Sequence, residues 1–264
     1  MLGAYHLPIE WVGLRRMAIG VLIIGDEILS GRREDKHLAK AIELLNARGL
    51  RLAWARVCGD ERERLVATLR DCFASGDIFF SFGGIGATPD DHTRQSAAVA
   101  LGVPLALHPD AESEIRNRFG SGTTANRLEM GTYPAGARII PNPYNRIPGF
   151  AVGRGYFVPG FPVMAWPMLE WVLDGELKSL HHAEAYLEDS MWVFDAQESQ
   201  ITDLMREVQA RFSVTVFSLP NTHTPGGRRQ IELGAKGAPG AVAAAMEAMC
   251  ESLAARGFET RPLT

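Results

Sequence analysis

The chain has 264 residues, enough for one large domain or two ordinary ones with an ample core. Hydrophobic residues make up 46% and charged residues 22%, with a formal net charge of −4. That balance speaks against a non-specific nucleic-acid binder, which would be basic. The three cysteines, Cys58, Cys72 and Cys250, have no metal-type spacing, and no apolar run approaches the ~18 residues of a spanning helix. The expectation is reduced thiols, a cytoplasmic location and no membrane partner.

Residues 1–16, MLGAYHLPIEWVGLRR, have neither an h-region nor a cleavage site, and they do not share the strand-helix rhythm that begins after them. Met17 stands directly before the first good strand, so Met17 is expected as the natural start and 1–16 as an extension. Residues 18–24, AIGVLII, read as a buried strand. The polar stretch GDEILSG comes next, then a helix in KHLAKAIELLNARG with Leu38, Ile42 and Leu45 on one face and Gly49 as its stop. Residues 51–57 are a second strand, 60–74 a helix through Leu65, Leu69 and Phe73, and 78–82 a third strand. Strands and helices alternating at this rhythm predict βαβ units, a mostly parallel sheet and helices on both faces.

Helices are expected in DDHTRQSAAVALG and HPDAESEIRNRFG, the second starting at His108-Pro109. A Gly/Pro/Asn-rich region then holds short strands near Ile139, Phe150 and Phe157, and helix resumes near Met164 as far as about His182. Met164, Met168 and Trp171 recur at helical spacing and read as core or interface packing. A boundary is expected at 182. Residues 183–264 read as β-α-β-β-α, a small α+β domain.

The chemistry concentrates in IFFSFGGIGATPDDHTRQS. Gly83, Gly84 and Gly86 come after a buried strand and precede a helix, a setting in which backbone N–H groups favour an anion. Two readings of Asp90 and Asp91 stand. With Thr88 as N-cap and Pro89 first in the helix, both acids complement the helix dipole. Alternatively, two carboxylates beside a phosphate loop would repel the ligand unless a cation such as Mg²⁺ sits between them. Asp26, Glu27, Ser30 and Gly31, in the loop that opens at Gly25, would face the same crevice if the first and third strands are neighbours. Pro159 and Gly160, in VPGFP, could add a third wall; a rigid turn is the other reading.

At these residues a family emerges. The segments GDEILSG, GGIGATPDDHTRQS, LALHPDAESEIRNRF, PNPYNRIPGF and VPGFP occur in one order. With them, 17 to about 172 resembles the molybdopterin-binding domain of molybdenum-cofactor biosynthesis proteins (the MoaB/Mog-like domain), in its competence/damage-inducible protein A form. Residues 183–264 resemble the KH-like domain that comes next in that form. The resemblance implies a three-layer αβα fold, a molybdopterin or nucleotide ligand with a phosphate or diphosphate, and a divalent metal, Mg²⁺ by preference. The implied reaction is adenylyl transfer or hydrolysis of a diphosphate such as that of ADP-ribose. Gly83, Gly84, Gly86 and Thr88 would hold phosphate, and Asp90 and Asp91 would be the catalytic and metal-binding residues. Gly25, Asp26, Glu27, Ser30, Gly31, Pro159 and Gly160 would line the cleft, with Asn126 and Arg127 reaching the phosphates.

The chain departs from the family at Ala87 (often Pro), at Asp35-Lys36-His37 (often Asp-Thr-Asn) and at Pro162-Val163-Met164-Ala165 (often Pro-Ser-Glu-Met). The last change removes a hydroxyl and an acid from the wall and favours binding over turnover. No deamidase activity is expected, because the chain ends before such a domain could begin. A non-catalytic binding or assembly protein is the alternative, and a homo-oligomer is expected. Nucleic-acid binding through the small domain is disfavoured. From 183 onward it carries seven Lys or Arg against eleven Asp or Glu, and Gly226-Gly227 lie in a β-β turn rather than a backbone-clamping GxxG loop. His181-His182 and His92 are weak metal candidates.

Overall fold

The computed structural model describes residues 18–182, 186–221 and 228–263. The expected extension 1–16, Met17 and the Gly226-Gly227 turn lie outside them. The chain divides into two compact units, Met1–His181 and His182–Thr264. Among the described residues no helix is long and apolar enough to cross a membrane.

The first unit runs β1 (Ile19–Ile24), α1 (Asp26–Leu29), α2 (His37–Asn46), β2 (Trp54–Cys58), α3 (Arg62–Ala74), β3 (Ile78–Phe82), α4 (Thr93–Leu101) and β4 (Leu105–Leu107). It continues with α5 (Pro109–Phe119), α6 (Ala125–Glu129), β5 (Thr132–Pro134), β6 (Arg138–Ile140), β7 (Gly149–Val152), β8 (Gly155–Val158) and α7 (Pro162–Asp174). Six of these strands form one sheet in the order β2-β1-β3-β8-β7-β6. The β2-β1-β3-β8 part is parallel, and only β7 is reversed. The sheet is therefore mostly parallel, as the alternation of strands and helices predicts.

Side chains alternate across each strand, which is why both faces need cover. Val21, Ile23, Phe80 and Phe82 pack with Leu44 and Leu45 of α2 and Met168, Leu169 and Val172 of α7. Leu22, Ile24, Phe79 and Phe157 pack on the other face with Leu65 and Leu69 of α3 and Ala97 of α4. That is the three-layer αβα arrangement. On the second face Phe150 and Phe157 stack with centroids 4.5 Å apart, and Phe79 meets Phe157 edge-on at 5.6 Å.

Three expectations need correction. On α2 the buried stripe is His37, Ala41, Leu44 and Leu45, while Ile42 is 39% exposed, because the helical period puts Ile42 beside the stripe rather than in it. The helix at Met164 stops at Asp174 instead of near His182. Finally, α4 starts at Thr93, not at Pro89, because residues 88–91 close a separate turn of their own.

The second unit is β9 (Leu187–Phe194), α8 (Glu198–Phe212), β10 (Thr215–Asn221), β11 (Gln230–Gly237), α9 (Pro239–Ala255) and β12 (Thr260–Pro262). Its four strands form an antiparallel sheet, β10-β11-β9-β12. Ile201, Leu204 and Val208 of α8 and Val242, Met249 and Leu253 of α9 cover one face. The last short strand is an addition to the expected β-α-β-β-α order.

Because Phe157 is fully buried against the rings of Phe73, Phe79 and Phe150, Phe157→Ala should lower unfolding stability by about 3–5 kcal/mol in urea titrations. A loss below about 1 kcal/mol would mean that the ring cluster does not hold this face.

Candidate functional site

The carboxyl ends of the parallel strands open into a cavity of about 670 Å³. Open α/β sheets place ligands in this position. The cavity gathers Gly25 and Glu27 after β1, Asp60 after β2, Gly83 to Thr88 with Asp90 and Asp91 after β3, and Pro159 and Gly160 after β8. Asp26, Ser30, Gly31, Asn126 and Arg127 are not among its lining residues. Asp26 turns its carboxylate sideways. It accepts from the Asp60 N–H at 3.2 Å while its own N–H donates to Asp60 Oδ2 at 2.9 Å. Ser30 accepts from Arg32 Nε at 3.3 Å. Arg127 lies over the Phe119 ring at 4.1 Å and donates to the Gly122 carbonyl.

The glycine loop has a definite backbone orientation. Thr93 Oγ1 donates to the Gly83 carbonyl at 3.0 Å, and the Thr93 N–H to the Gly84 carbonyl at 2.9 Å. Arg94 Nη2 donates to the Gly86 carbonyl at 2.6 Å. In a trans peptide the N–H of the next residue points opposite to the carbonyl. The N–H groups of Gly84, Ile85 and Ala87 are thus turned away from α4, and all three residues line the cavity. Among the described residues none of these N–H groups has a protein acceptor. Successive free N–H groups on a concave wall make an anion site. Gly83 has φ +105°, and a Cβ there would run into the Ile24 carbonyl, so the strand exit requires glycine.

Asp90 and Asp91 do not sit in the first turn of α4. The Thr88 N–H donates to Asp91 Oδ2 at 2.9 Å, the Thr88 hydroxyl donates to the same oxygen, and the Asp91 N–H returns to the Thr88 carbonyl at 3.0 Å. Thr88 is a donor to Asp91 rather than a helix cap. The four residues close their own turn, and helical bonding begins only with Ser96 N–H to the His92 carbonyl. Gly86 leaves room for this turn, because a Cβ there would strike Asp91 Oδ2. Asp90 is exposed, and its carboxyl is held below the usual range by the Thr88 hydroxyl and then by its own N–H. One hydroxyl proton serves one carboxylate at a time, and the geometry gives it to Asp91. His92 holds the N-cap position of α4 outside the cavity lining. His181 Nε2 donates to the Leu173 carbonyl at 2.8 Å.

Asp60 and Arg94 gain a role that their sequence context does not assign, and His37, where the departure from the family pattern implies different contacts, gains a defined one. Asp60 reads in the sequence only as a helix start. Burial raises its pKa despite the bond from the Asp26 N–H, and the charges of Asp26, Glu27 and Asp90 add to the rise. Its position directly after β2, a strand neighbouring β1, is the available signal. Arg94 is 1% exposed beneath the loop, in a helix stretch whose polarity gives no sign of burial. His37 is buried, stacks on Phe82 at 4.6 Å, and donates from Nε2 to the Gly160 carbonyl at 3.1 Å. It ties the start of α2 to the Pro159-Gly160 wall. Among the described residues its Nδ1 has no hydrogen-bond partner. Burial lowers its pKa, against smaller opposing effects of the Gly160 carbonyl and Asp35.

Gly83→Ala should abolish ligand binding at the loop and cost about 1–3 kcal/mol of stability, measured by calorimetry and urea titration, because both φ and space are wrong for a side chain. For His37 the folded pKa lies below the unfolded value of 6.5, so the unfolded chain takes up the proton first on acidification. The stability it supports is complete above pH 6.5 and is lost as pH falls through the folded value. The stability of the native chain relative to His37→Gln should accordingly drop below pH 6.5; a difference that does not vary with pH would contradict the buried neutral ring.

Residues 20–179 match the family described as a probable molybdopterin binding domain. The chain is 36% identical over 165 residues to a CinA-like protein of Anaeromyxobacter sp. (strain K), covering 60% of this chain and 40% of that one. It is 32% identical over 196 residues to a protein of Caldivirga maquilingensis, covering 71% and 75%. The chain thus spans about two fifths of the length of the CinA-like relative. Among solved structures, the protein CinA of Thermoplasma acidophilum, described as of unknown function, superposes with TM-score 0.55 at 28% identity, over 60% of this chain and 97% of that one. With the matched region spanning the whole glycine-loop cavity, this chain belongs to the family described as a probable molybdopterin binding domain.

Proposed function

We propose that the chain binds a pterin or nucleotide through its phosphate or diphosphate, with a divalent cation, and cleaves or transfers across that diphosphate. One observation carries the reading: the free N–H groups of Gly84, Ile85 and Ala87 line one wall of the cavity beside Asp90. The acids then need an explanation. Glu27, Asp60, Asp90 and Asp91 stand on the cavity against Arg32 and Arg33, so a bare diphosphate would meet net negative charge.

Among the described residues no group of three His, Cys, Asp or Glu could hold a metal ion. Mg²⁺ is commonly bound by one or two carboxylates together with substrate phosphate oxygens, so the donor set fits a cation shared with the ligand. Asp90 and Asp91 are the proposed holders, and Asp90 is the freer of the two, because Thr88 occupies Asp91 Oδ2. The cation would offset charge on the phosphoryl oxygens. In hydrolysis, a water oxygen bonds to one phosphorus, the bridging oxygen leaves with the other phosphate, and the water proton passes to a carboxylate or to solvent. The exposed Asp90, on the cavity beside the glycine loop, is suited to orient that water.

Binding without turnover is the second reading. It is favoured by the engagement of Asp91 in the Thr88 turn, which leaves one free catalytic carboxylate instead of two. The proposal includes a homo-oligomer in the cytoplasm, supported for the first part by exposed Phe161, Val163 and Trp171.

Calorimetric titration with ADP-ribose, FAD and a molybdopterin, with Mg²⁺ or a chelator, tests the ligand class. Affinity should fall about ten-fold or more when the cation is removed. Product analysis separates the two readings, and Asp90→Ala with Asp91→Ala should abolish any turnover. Unchanged turnover in that double variant would end the assignment of the two aspartates.

A further inference from the structure

The geometry points to Arg94 as the positioning residue of the anion-binding loop: its buried guanidinium holds the Gly86–Ala87 peptide with the carbonyl inward and the Ala87 N–H toward the ligand. This rests on the proposed reading of the loop as the phosphate end of the cavity.

Among the described residues, Arg94 is the largest of the fully buried side chains. Its guanidinium donates to three neutral carbonyls: Gly86 at 2.6 Å, Thr132 at 3.1 Å, and Glu129. Among the described residues it forms no ion pair, and the acids that influence it, Glu129 and Asp91, act only through space. Arginine stays charged at neutral pH even where burial lowers its pKa, as it does here. Among the described residues, a full positive charge is therefore held under the loop by carbonyl dipoles, with Nε lacking a hydrogen-bond partner. Such an arrangement costs stability and returns no ion-pair energy. A neutral side chain would fill the space at lower cost, so packing does not account for it.

Its bonds do account for it. The Gly83 and Gly84 carbonyls are held inward by Thr93, but the Gly86 carbonyl depends on Arg94 Nη2. Glycine at 86 gives this peptide a low barrier to turning over. If it turned, the carbonyl oxygen would face the phosphate in place of the Ala87 N–H, and an attraction would become a repulsion. Because Nη1 spans to Glu129 and Thr132, the same side chain also anchors the loop to the end of α6, beside the cavity-lining Met130. The buried charge adds a positive potential behind the N–H groups.

The test uses the full chain with Arg94→Met, close in shape and neutral, and Arg94→Lys, which keeps the charge but loses the fork. Pyrophosphate with Mg²⁺ is the probe. Arg94→Met should bind it about ten-fold or more weakly than the native chain, and Arg94→Lys should recover part of that loss. Relaxation dispersion on the Gly86 and Ala87 amides should be flat in the native chain and show exchange in Arg94→Met. If Arg94→Met does not fold, Arg94→Lys carries both measurements and should show weaker binding with exchange confined to these amides. Native-like affinity and flat dispersion in a folded variant would overturn the inference. If the native chain binds no pyrophosphate while the Ala87 exchange still appears, the phosphate reading fails and the positioning role stands.

Discussion

Carbonyl and N–H point in opposite directions across a trans peptide, so whatever captures the carbonyl oxygens of a loop decides where its N–H groups go. In this chain the capture falls to two adjacent residues at the start of α4. Thr93 takes the Gly83 and Gly84 oxygens, and Arg94 takes that of Gly86. The cavity wall after β3 is consequently a row of donors. Glu27, Asp60, Asp90 and Asp91 stand around that row on the same cavity.

The sheet supplies the frame. β1 and β3 pair directly in parallel, with β2 and β8 outside them, so four loops leave from one edge. Each loop then commits its polar groups differently. The Asp26 and Asp60 loops brace one another, each backbone N–H donating to the other residue's carboxylate. The Thr88–Asp91 turn closes on itself. His37 reaches across to the Gly160 carbonyl and is stacked on Phe82, so the first and last walls are joined by one neutral imidazole. Most carboxylates near the cavity thus have a structural duty, and Asp90 is left the most exposed of those that line it.

The fold and the glycine-loop and Pro159-Gly160 walls of the cavity are legible in the residues alone. Alternation between apolar strands and helices of 3.6-residue period implies the parallel sheet, and Gly83, Gly84, Gly86, Asp90, Asp91, Pro159 and Gly160 do meet in one cavity. Local rules misplace the helix start at Thr88, because they treat Thr-Pro-Asp-Asp as a cap. They cannot register that the Thr93 N–H is committed to Gly84.

Sequence by itself determined the elements, the three layers and the family, since these rest on periodicity, glycine placement and ordered motifs that are local in the chain. Only the tertiary structure decided which polar groups face the ligand. Asp26 is adjacent to Glu27 in sequence, yet only Glu27 lines the cavity, because Asp26 is claimed by the Asp60 N–H 34 residues away. Arg94 looks like a solvated helix residue in sequence, yet it is buried against carbonyls 8, 35 and 38 positions distant. Hydrogen bonds of that span depend on how the loops converge at the sheet edge, and no local pattern encodes that convergence.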